Sequence, residues 1–390
     1  MNAKNHNNAL STNTLPTPAI MSAQYELDSP QIDPISSLEF SPSGAKLLVG
    51  SWDRTVCVYQ RSGNDSTPFT LEKRVQCRAP VLDVCWGKNE SVAYFVGLDK
   101  DVRRVDLASE DNEQTVLSTH GRSSNKVAYS RERNLLLSTS WDGTLHVHNT
   151  EQPAGTSLLR VRLAAKPFAI SLTQGRAIVA MVHRKMSIYD LMSLKMLTEQ
   201  TTDVHMNGES DIGEVAIHDM EPWQTRESNL KFMTRAVAAM PDGTGFATSS
   251  IEGRVAVEWF EADRAGDTYA FKCHRQTVTE VGEDGEEHEI DIVYPVNALV
   301  FNKVHGTFAT GGGDGVIALW DAQSKRRVKQ YNKQVASVAA LDFSPDGKYL
   351  AAGVSPGFED GMEECDFDPN LIKVVVRELA ENEARGRAPR

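Results

Sequence analysis

Short runs of alternating apolar and polar residues dominate the chain, with no sustained helical rhythm. In four places a strand-like run, small residues, an acid-containing turn and a second alternating run follow one another directly. They are LLVGSWDRTVCVY ending at Tyr59, LLSTSWDGTLHVHN ending at Asn149, FATSSIEGRVAVEWF ending at Phe260 and FATGGGDGVIALWD ending at Asp321. Period-two alternation on both sides of a tight turn predicts a β-hairpin. YFVGLDKDVRRVDL and AIVAMVHRKMSIYDL are weaker copies of the same unit. Upstream of each lies another apolar strand: ISSLEFSPSG, VLDVCWGKN, SNKVAYSRER, KPFAISLTQG, RAVAAMPDG, VNALVFNKV and VAALDFSPDG. The last unit runs on through YLAAGV and, after an acidic insertion, LIKVVVREL.

Seven strand-rich units at a spacing of about 40–45 residues predict an all-β fold, a seven-bladed β-propeller. A β-sandwich would explain the alternation but not the sevenfold self-similarity. The spacing stretches around the fourth and fifth units, where loops 198–230 and 261–293 intervene. Each blade packs both faces on its neighbours, so runs such as VAVEW and IALW can be apolar throughout. A ring of blades has one weak seam. The short alternating stretch Tyr25-Glu26-Leu27 is placed to supply the outermost strand of the last blade, which closes the ring and removes an exposed edge.

Composition narrows the picture. At 390 residues and 40% hydrophobic content, the chain can bury a large core. No run of about 18 apolar residues is present, so no membrane span is expected. The domain expected is 23–380, flanked by disordered tails at 1–22 (polar, rich in Asn, Thr and Pro) and 381–390. Cys57, Cys77, Cys85, Cys273 and Cys365 are scattered and odd in number, which argues for a reducing compartment with neither disulfide framework nor zinc site. The net charge of −12 is concentrated. The stretch 280–291 holds seven acids and 359–368 six, with no Lys or Arg in either, and both read as solvated loops. The domain is accordingly expected to carry an acidic loop at about 280–291 and an acidic insertion at about 357–369. Without them the body is close to neutral, and a local basic groove is compatible with it.

In a propeller the middle turns of all blades emerge on one face. Trp52 and Trp141 occupy equivalent turn positions there, either folded over their own hairpins or exposed to grip a peptide. Arg254 follows the turn of the fifth unit, where SWDRT and SWDGT have threonine. Arg235 opens the first strand of that unit and Lys272 sits in YAFKCHR after it. Arg235 and Arg254 are expected close together, with Lys272 joining them only if its strand runs towards this face. Arginine's planar fork suits carboxylate or phosphate. The competing role for Arg254 is an ion pair with Glu252 or Glu258.

These repeats resemble WD40 repeats, although a literal Trp-Asp at a strand end occurs only as Trp320-Asp321. SWDRT, SWDGT, RVAVE, YAFKCHR, YPVN and FATGGGDG follow in the order seen in the Bub/Rae branch of that family. The resemblance runs from about residue 32 to 379. SIEGRVAVE followed by FKCHR is its most specific part, while YPVN and FATGGGDG are more similar to the mitotic checkpoint member than to the mRNA-export member. The longer N-terminal tail and the acidic 280–291 insertion depart from the pattern.

The resemblance implies a non-catalytic adaptor of the spindle assembly checkpoint, nuclear and at kinetochores in mitosis, monomeric within hetero-complexes. It implies a peptide-binding face carrying Trp52, Trp141, Arg235, Arg254 and Lys272. Its ligands would be GLEBS segments of Bub-family checkpoint kinases or pseudokinases and phosphorylated MELT repeats of a kinetochore scaffold. Arg254 and Lys272 would take the phosphothreonine and Arg235 the GLEBS acids. The alternative within the branch is a nuclear-pore mRNA-export factor that binds a nucleoporin GLEBS segment and touches RNA.

Catalysis finds no support in the chain. GxSxG, P-loop, GxGxxG and HExxH motifs are missing, and no cofactor or metal is expected. Adjacent Cys273 and His274 point to opposite faces of a strand and cannot act together as nucleophile and base. The basic run SKRRVKQ at 324–330 reads as a solvated outer strand. The near-neutral body neither supports nor excludes nucleic-acid binding.

Overall fold

The computed structural model describes residues 23–28, 31–64, 67–206, 216–281, 286–357 and 368–386. The expected tail 1–22, residues 358–367 of the acidic insertion and 387–390 lie outside them. Seven antiparallel sheets form the blades of a propeller. Their inner strands are Ile35–Phe40, Val81–Trp86, Ser124–Ser130, Pro167–Leu172, Thr234–Ala239, Val296–Phe301 and Val338–Phe343, all within the seven apolar stretches read from the sequence. The second strands are buried nearly end to end because they pack between neighbouring blades. Each core cluster spans parts of two blades: Leu48, Val56 and Val75 of blade 1 pack with Val81, Val84 and Trp86 of blade 2.

The ring closes as expected. Strand Ala23–Glu26 pairs antiparallel with Lys373–Glu378, Tyr25 opposite Val376, and so completes blade 7. Leu27 is buried beyond it and donates its N–H to the Val374 carbonyl at 2.8 Å. Blade 7 is therefore built from both ends of the chain.

Along the central channel, of about 620 Å³, blades are clasped by side chains. Asp342 accepts the Phe40 N–H at 2.7 Å, Glu39 the Trp86 N–H at 3.0 Å, Asp83 the Val127 N–H at 3.0 Å and Ser171 the Ala239 N–H at 3.0 Å. Each bond reaches one blade forward. Burial pushes Asp342 up to about 7, opposed by Lys303.

Three segments differ from the sequence expectation. The stretch taken as loop 198–230 begins inside an α-helix, Leu191–Met206, which buries Leu191, Leu194 and Thr198, packs against blades 3 and 4 and has its first turn capped by Asp190. Beyond it, Ile217–His218 adds a short parallel fifth strand to blade 3. The second is the acidic stretch 280–291, expected as a solvated loop. Its described residues belong to a two-stranded ribbon, Arg275–Val281 paired with Glu287–Val293. Their β-branched residues outweigh the acids in setting local conformation. Third, residues 381–386 of the expected disordered tail pack over blades 6 and 7. Ala384 is buried, its carbonyl accepts the Thr307 hydroxyl at 2.6 Å, and Glu383 pairs with Lys329 at 2.9 Å. Among the described residues no helix is long and apolar enough to cross a membrane.

Candidate peptide-binding face

The turns between second and third strands share one anatomy. In Ser51-Trp52-Asp53-Arg54 and Ser140-Trp141-Asp142-Gly143 the first-position serine hydroxyl accepts the third-position N–H, both at 3.1 Å. Ser250 does the same for Glu252 at 3.3 Å. The fourth position is left-handed in six blades: Arg54, Lys100, Gly143, Arg184, Gly253 and Gly315 all have φ between 62° and 82°. Gly253 is required for a second reason, since a Cβ there would sit 2.6 Å from the Cys273 carbonyl oxygen.

The third-position acid is spent inside its own turn. Asp53 accepts the Thr55 hydroxyl at 2.5 Å and Asp142 the Thr144 hydroxyl at 2.6 Å. Asp142 also takes the Gly121 N–H at 2.7 Å and lies 3.6 Å from His120, and these partners hold its carboxyl well below the usual range despite its burial. Arg54, Lys100, Arg122, Lys166, Arg235 and Lys272, by contrast, are half-buried or exposed at this end of the blades. The turn acids are thus drawn inward while these six cations stay accessible, although the chain as a whole is acidic.

In blade 5 the arrangement changes. Arg254 replaces the threonine, and its Nε lies 3.0 Å from Glu252 Oε1, so the competing ion pair exists. Neither atom gains an aligned hydrogen bond from it. Directly opposite Arg254, on strand Tyr269–Lys272, stands exposed Lys272. The outer strand therefore runs towards this face. The same pair of positions holds Thr55 and Gln76, Asp101 and Thr119, Thr144 and Arg162, and Lys185 and Glu227 in blades 1 to 4. Of these five blades, only blade 5 sets two like charges opposite each other.

Arg235 reaches the face by a different device. Every inner strand carries a register shift after its first residue. A bulge re-aims the extra residue, and in blade 5 that residue is Arg235. It lines the channel mouth and donates from Nε to Asn297 Oδ1, the equivalent residue of blade 6, at 3.1 Å. One strand separates it from the Arg254 strand, which sets the backbones roughly 10 Å apart. The three cations share one end of one blade, while Trp52 and Trp141 lie on blades 1 and 3.

The two tryptophans are not equivalent. Trp52 is 40% exposed, beside exposed Ile32, whose N–H reaches Asp53 at 3.2 Å. Trp141 is half-buried, with the Lys166 ammonium 4.8 Å from its ring centre. Sequence reading missed Ile251, which occupies the tryptophan position in blade 5 and is exposed together with Phe232 and Met233. The alignment of SIEG with SWDR and SWDG carries that signal.

Cys273 and His274 are structural. Cys273 sits in the core between blades 5 and 6, its thiol pushed up by burial. His274 bonds Asp314 and Thr310, both at 2.8 Å, and Thr310 accepts the Trp320 indole N–H at 3.0 Å. Cys57, Cys77, Cys85 and Cys273 are all buried and free. Among the described residues no group of His, Cys, Asp and Glu could hold a metal ion.

The family model for the WD domain, G-beta repeat, matches residues 25–60, 111–149, 288–321 and 325–362. Similarity to individual proteins is broader. Mitotic checkpoint protein BUB3.1 of Arabidopsis thaliana is 36% identical over 91% of this chain and 93% of its own length. Spindle assembly checkpoint protein bub3 of Schizosaccharomyces pombe is 32% identical over 82% and 87%. Protein Rae1 of Drosophila melanogaster is 30% identical over 87% and 89%. With that likeness spread over nearly the whole propeller, the chain belongs to the WD40-repeat family as a BUB3-like member of the branch that also holds Rae1.

Proposed function

We propose that the protein is a non-catalytic adaptor of the spindle assembly checkpoint, nuclear and recruited to kinetochores in mitosis. Its turn face would hold GLEBS segments of Bub-family kinases and phosphorylated MELT repeats of a kinetochore scaffold, and so bring the kinases to kinetochores. The observation that carries this reading is the Arg254–Lys272 pair. Like charges placed directly opposite on a sheet are destabilising, and blade 4 avoids the cost by setting Glu227 against Lys185. Blade 5 keeps two cations with Glu252 as the carboxylate beside Arg254. A phosphate with close to two negative charges would satisfy both.

Arg235, held at the channel mouth by its bulge, would take acids of the GLEBS segment, with Trp52, Trp141 and Ile251 as apolar anchors around the face. The channel carboxylates Glu39, Asp83 and Asp342 serve as inter-blade acceptors. That use supports a binding role over a catalytic one. The test is titration with a MELT peptide with and without phosphate on its threonine. Preference for the phosphorylated form, lost in Arg254→Ala, supports the reading, and equal affinity for both forms refutes it. Likeness to Rae1 keeps an mRNA-export role as the second reading. Tight, salt-sensitive binding of a single-stranded RNA oligonucleotide with no phosphopeptide preference would favour it.

A further inference from the structure

The ribbon Arg275–Val281 and Glu287–Val293 interrupts the connection from the outer strand of blade 5 to the inner strand of blade 6. Its base is fixed to the turn that precedes Arg254. Arg275 donates to the Glu252 carbonyl at 2.9 Å, and the Tyr294 N–H closes the ribbon on the His274 carbonyl at 3.0 Å. Its base therefore adjoins the turn that carries Arg254 and follows the strand that ends at Lys272.

Strand Glu287–Val293 is exposed along its whole length, and among the described residues no second strand pairs with its outer edge. Its two sides differ in chemistry. Glu287, Glu289 and Asp291 project to one face. His288, Ile290 (42% exposed) and Ile292 (37% exposed) project to the other, with Glu280 opposite His288 and Val278 directly opposite Ile290. An unpaired edge with β-branched residues on one side is a template for another strand. Natural edges are blunted by charged side chains, lysine above all, or by proline; this strand has neither lysine nor proline, and its charges are the acids Glu287, Glu289 and Asp291. The acids repel acidic segments and select by charge what can add.

We propose that the Glu287–Val293 edge is a docking site for an extended basic segment of the partner held on the turn face, added as a third strand. Valine-like side chains of that segment lie beside Ile290 and Ile292, while lysines or arginines at alternate positions lie beside Glu287, Glu289 and Asp291. Main-chain bonds supply affinity and the alternation supplies specificity. The proposal rests on the peptide-binding reading of the face for its first contact, and it assigns the partner a bipartite charge: an acidic or phosphorylated stretch next to a basic, β-prone one.

The full chain is titrated with three peptides: a phosphothreonine-bearing acidic core, that core joined to eight residues of alternating valine and lysine, and that core joined to alternating serine and lysine. The extension is tested at each end of the core. The valine–lysine extension is expected to tighten binding about tenfold, roughly 1.4 kcal/mol, from one end. Hydrogen exchange in Glu287–Val293 should slow in that complex. Ile290→Lys with Ile292→Lys should abolish the gain while leaving the core peptide's affinity intact.

A serine–lysine extension that gains as much as valine–lysine would reduce the ribbon to a diffuse charge effect and overturn the proposal. No gain from either end would overturn it too. So would a concentration-dependent dimer of the unliganded chain abolished by the isoleucine variants, which would give the edge to a second copy. The valine–lysine segment alone, titrated against Arg254→Ala, separates the two readings. If the core peptide ignores Arg254→Ala while the segment still binds wild type and not the isoleucine variant, the phosphate reading fails and the ribbon assignment stands.

Discussion

Arg254 and Lys272 stand directly opposite each other at the end of blade 5, on paired strands that both reach the turn face. The Arg254 position is also a structural one. Thr55 and Thr144 close their turns by donating to Asp53 and Asp142, and Arg254 answers Glu252 in the same place. A substitution there alters the turn as well as the ligand surface, so the variants must separate the two.

Arg254→Thr restores the residue of blades 1 and 3 and removes the cation. It should weaken binding of a phosphorylated MELT peptide by about 2 kcal/mol, in the range of a hydrogen bond to a charged group, and barely change the unphosphorylated peptide. Arg254→Lys should recover part of the loss, because an ammonium keeps the charge but not the fork. Raising ionic strength should erode the phosphate preference, since Arg254 is 34% exposed and Lys272 more so. Calorimetric titration at two salt concentrations checks all three. Equal losses for both peptides would leave Arg254 a purely structural residue.

Trp52→Ala and Trp141→Ala should diverge. Trp52 is the more exposed, so its loss should leave melting nearly unchanged while costing about 2 kcal/mol in GLEBS-peptide affinity. Trp141 lies under Lys166, and its loss should lower stability by about 1 kcal/mol or more through lost packing and the cation–π contact. Thermal melts beside peptide titrations decide. A destabilised Trp52→Ala that binds normally would contradict the exposed geometry.

Ring closure predicts unequal truncations. Removing residues 1–20 leaves strand Ala23–Glu26 intact and should not change the melting temperature. Removing 1–28 deletes that strand and buried Leu27, at a cost on the order of 5 kcal/mol from ladder bonds and apolar burial. Differential scanning calorimetry should show a fall of several degrees for the longer truncation only. Equal melting temperatures would deny the strand its closing role.

Asp342 should make stability pH-dependent. Its carboxyl is raised from an ordinary value near 3.8 to about 7, chiefly by burial, with Lys303 opposing and Glu39 reinforcing. The native state therefore binds the proton more tightly than the unfolded chain. The associated stability is complete below pH 4 and is lost as pH rises to 7, up to about 4 kcal/mol for a three-unit shift. Asp342→Asn keeps a side-chain acceptor for the Phe40 N–H and removes the titration. Denaturant unfolding from pH 4 to 7.5 should show the wild type losing stability relative to this variant as pH rises. Parallel curves would show that Asp342 titrates normally in the fold.

The repeat pattern by itself determined the seven inner strands, the turn positions of Trp52, Trp141 and Arg254, and the closure by Tyr25. Those features depend on local periodicity and on the need of every blade to bury both faces, and both are written in sequence order. Tertiary structure decided what local pattern cannot encode. The acidic 280–291 stretch read as a loop because its acids outnumber its apolar residues; it is solvated, but as part of a paired strand in which Ile290 and Ile292 share one side through alternation and register with Arg275–Val281. Residues 381–386 read as tail because one buried alanine gives no periodic signal, and only the seam between blades 6 and 7 supplies a place for Ala384 and Glu383. The meeting of Arg254 with Lys272, eighteen positions later in the chain, followed from the direction and register of the outer strand. Register is a relation between strands, fixed by packing and by the turn that joins them, so no single stretch of sequence states it.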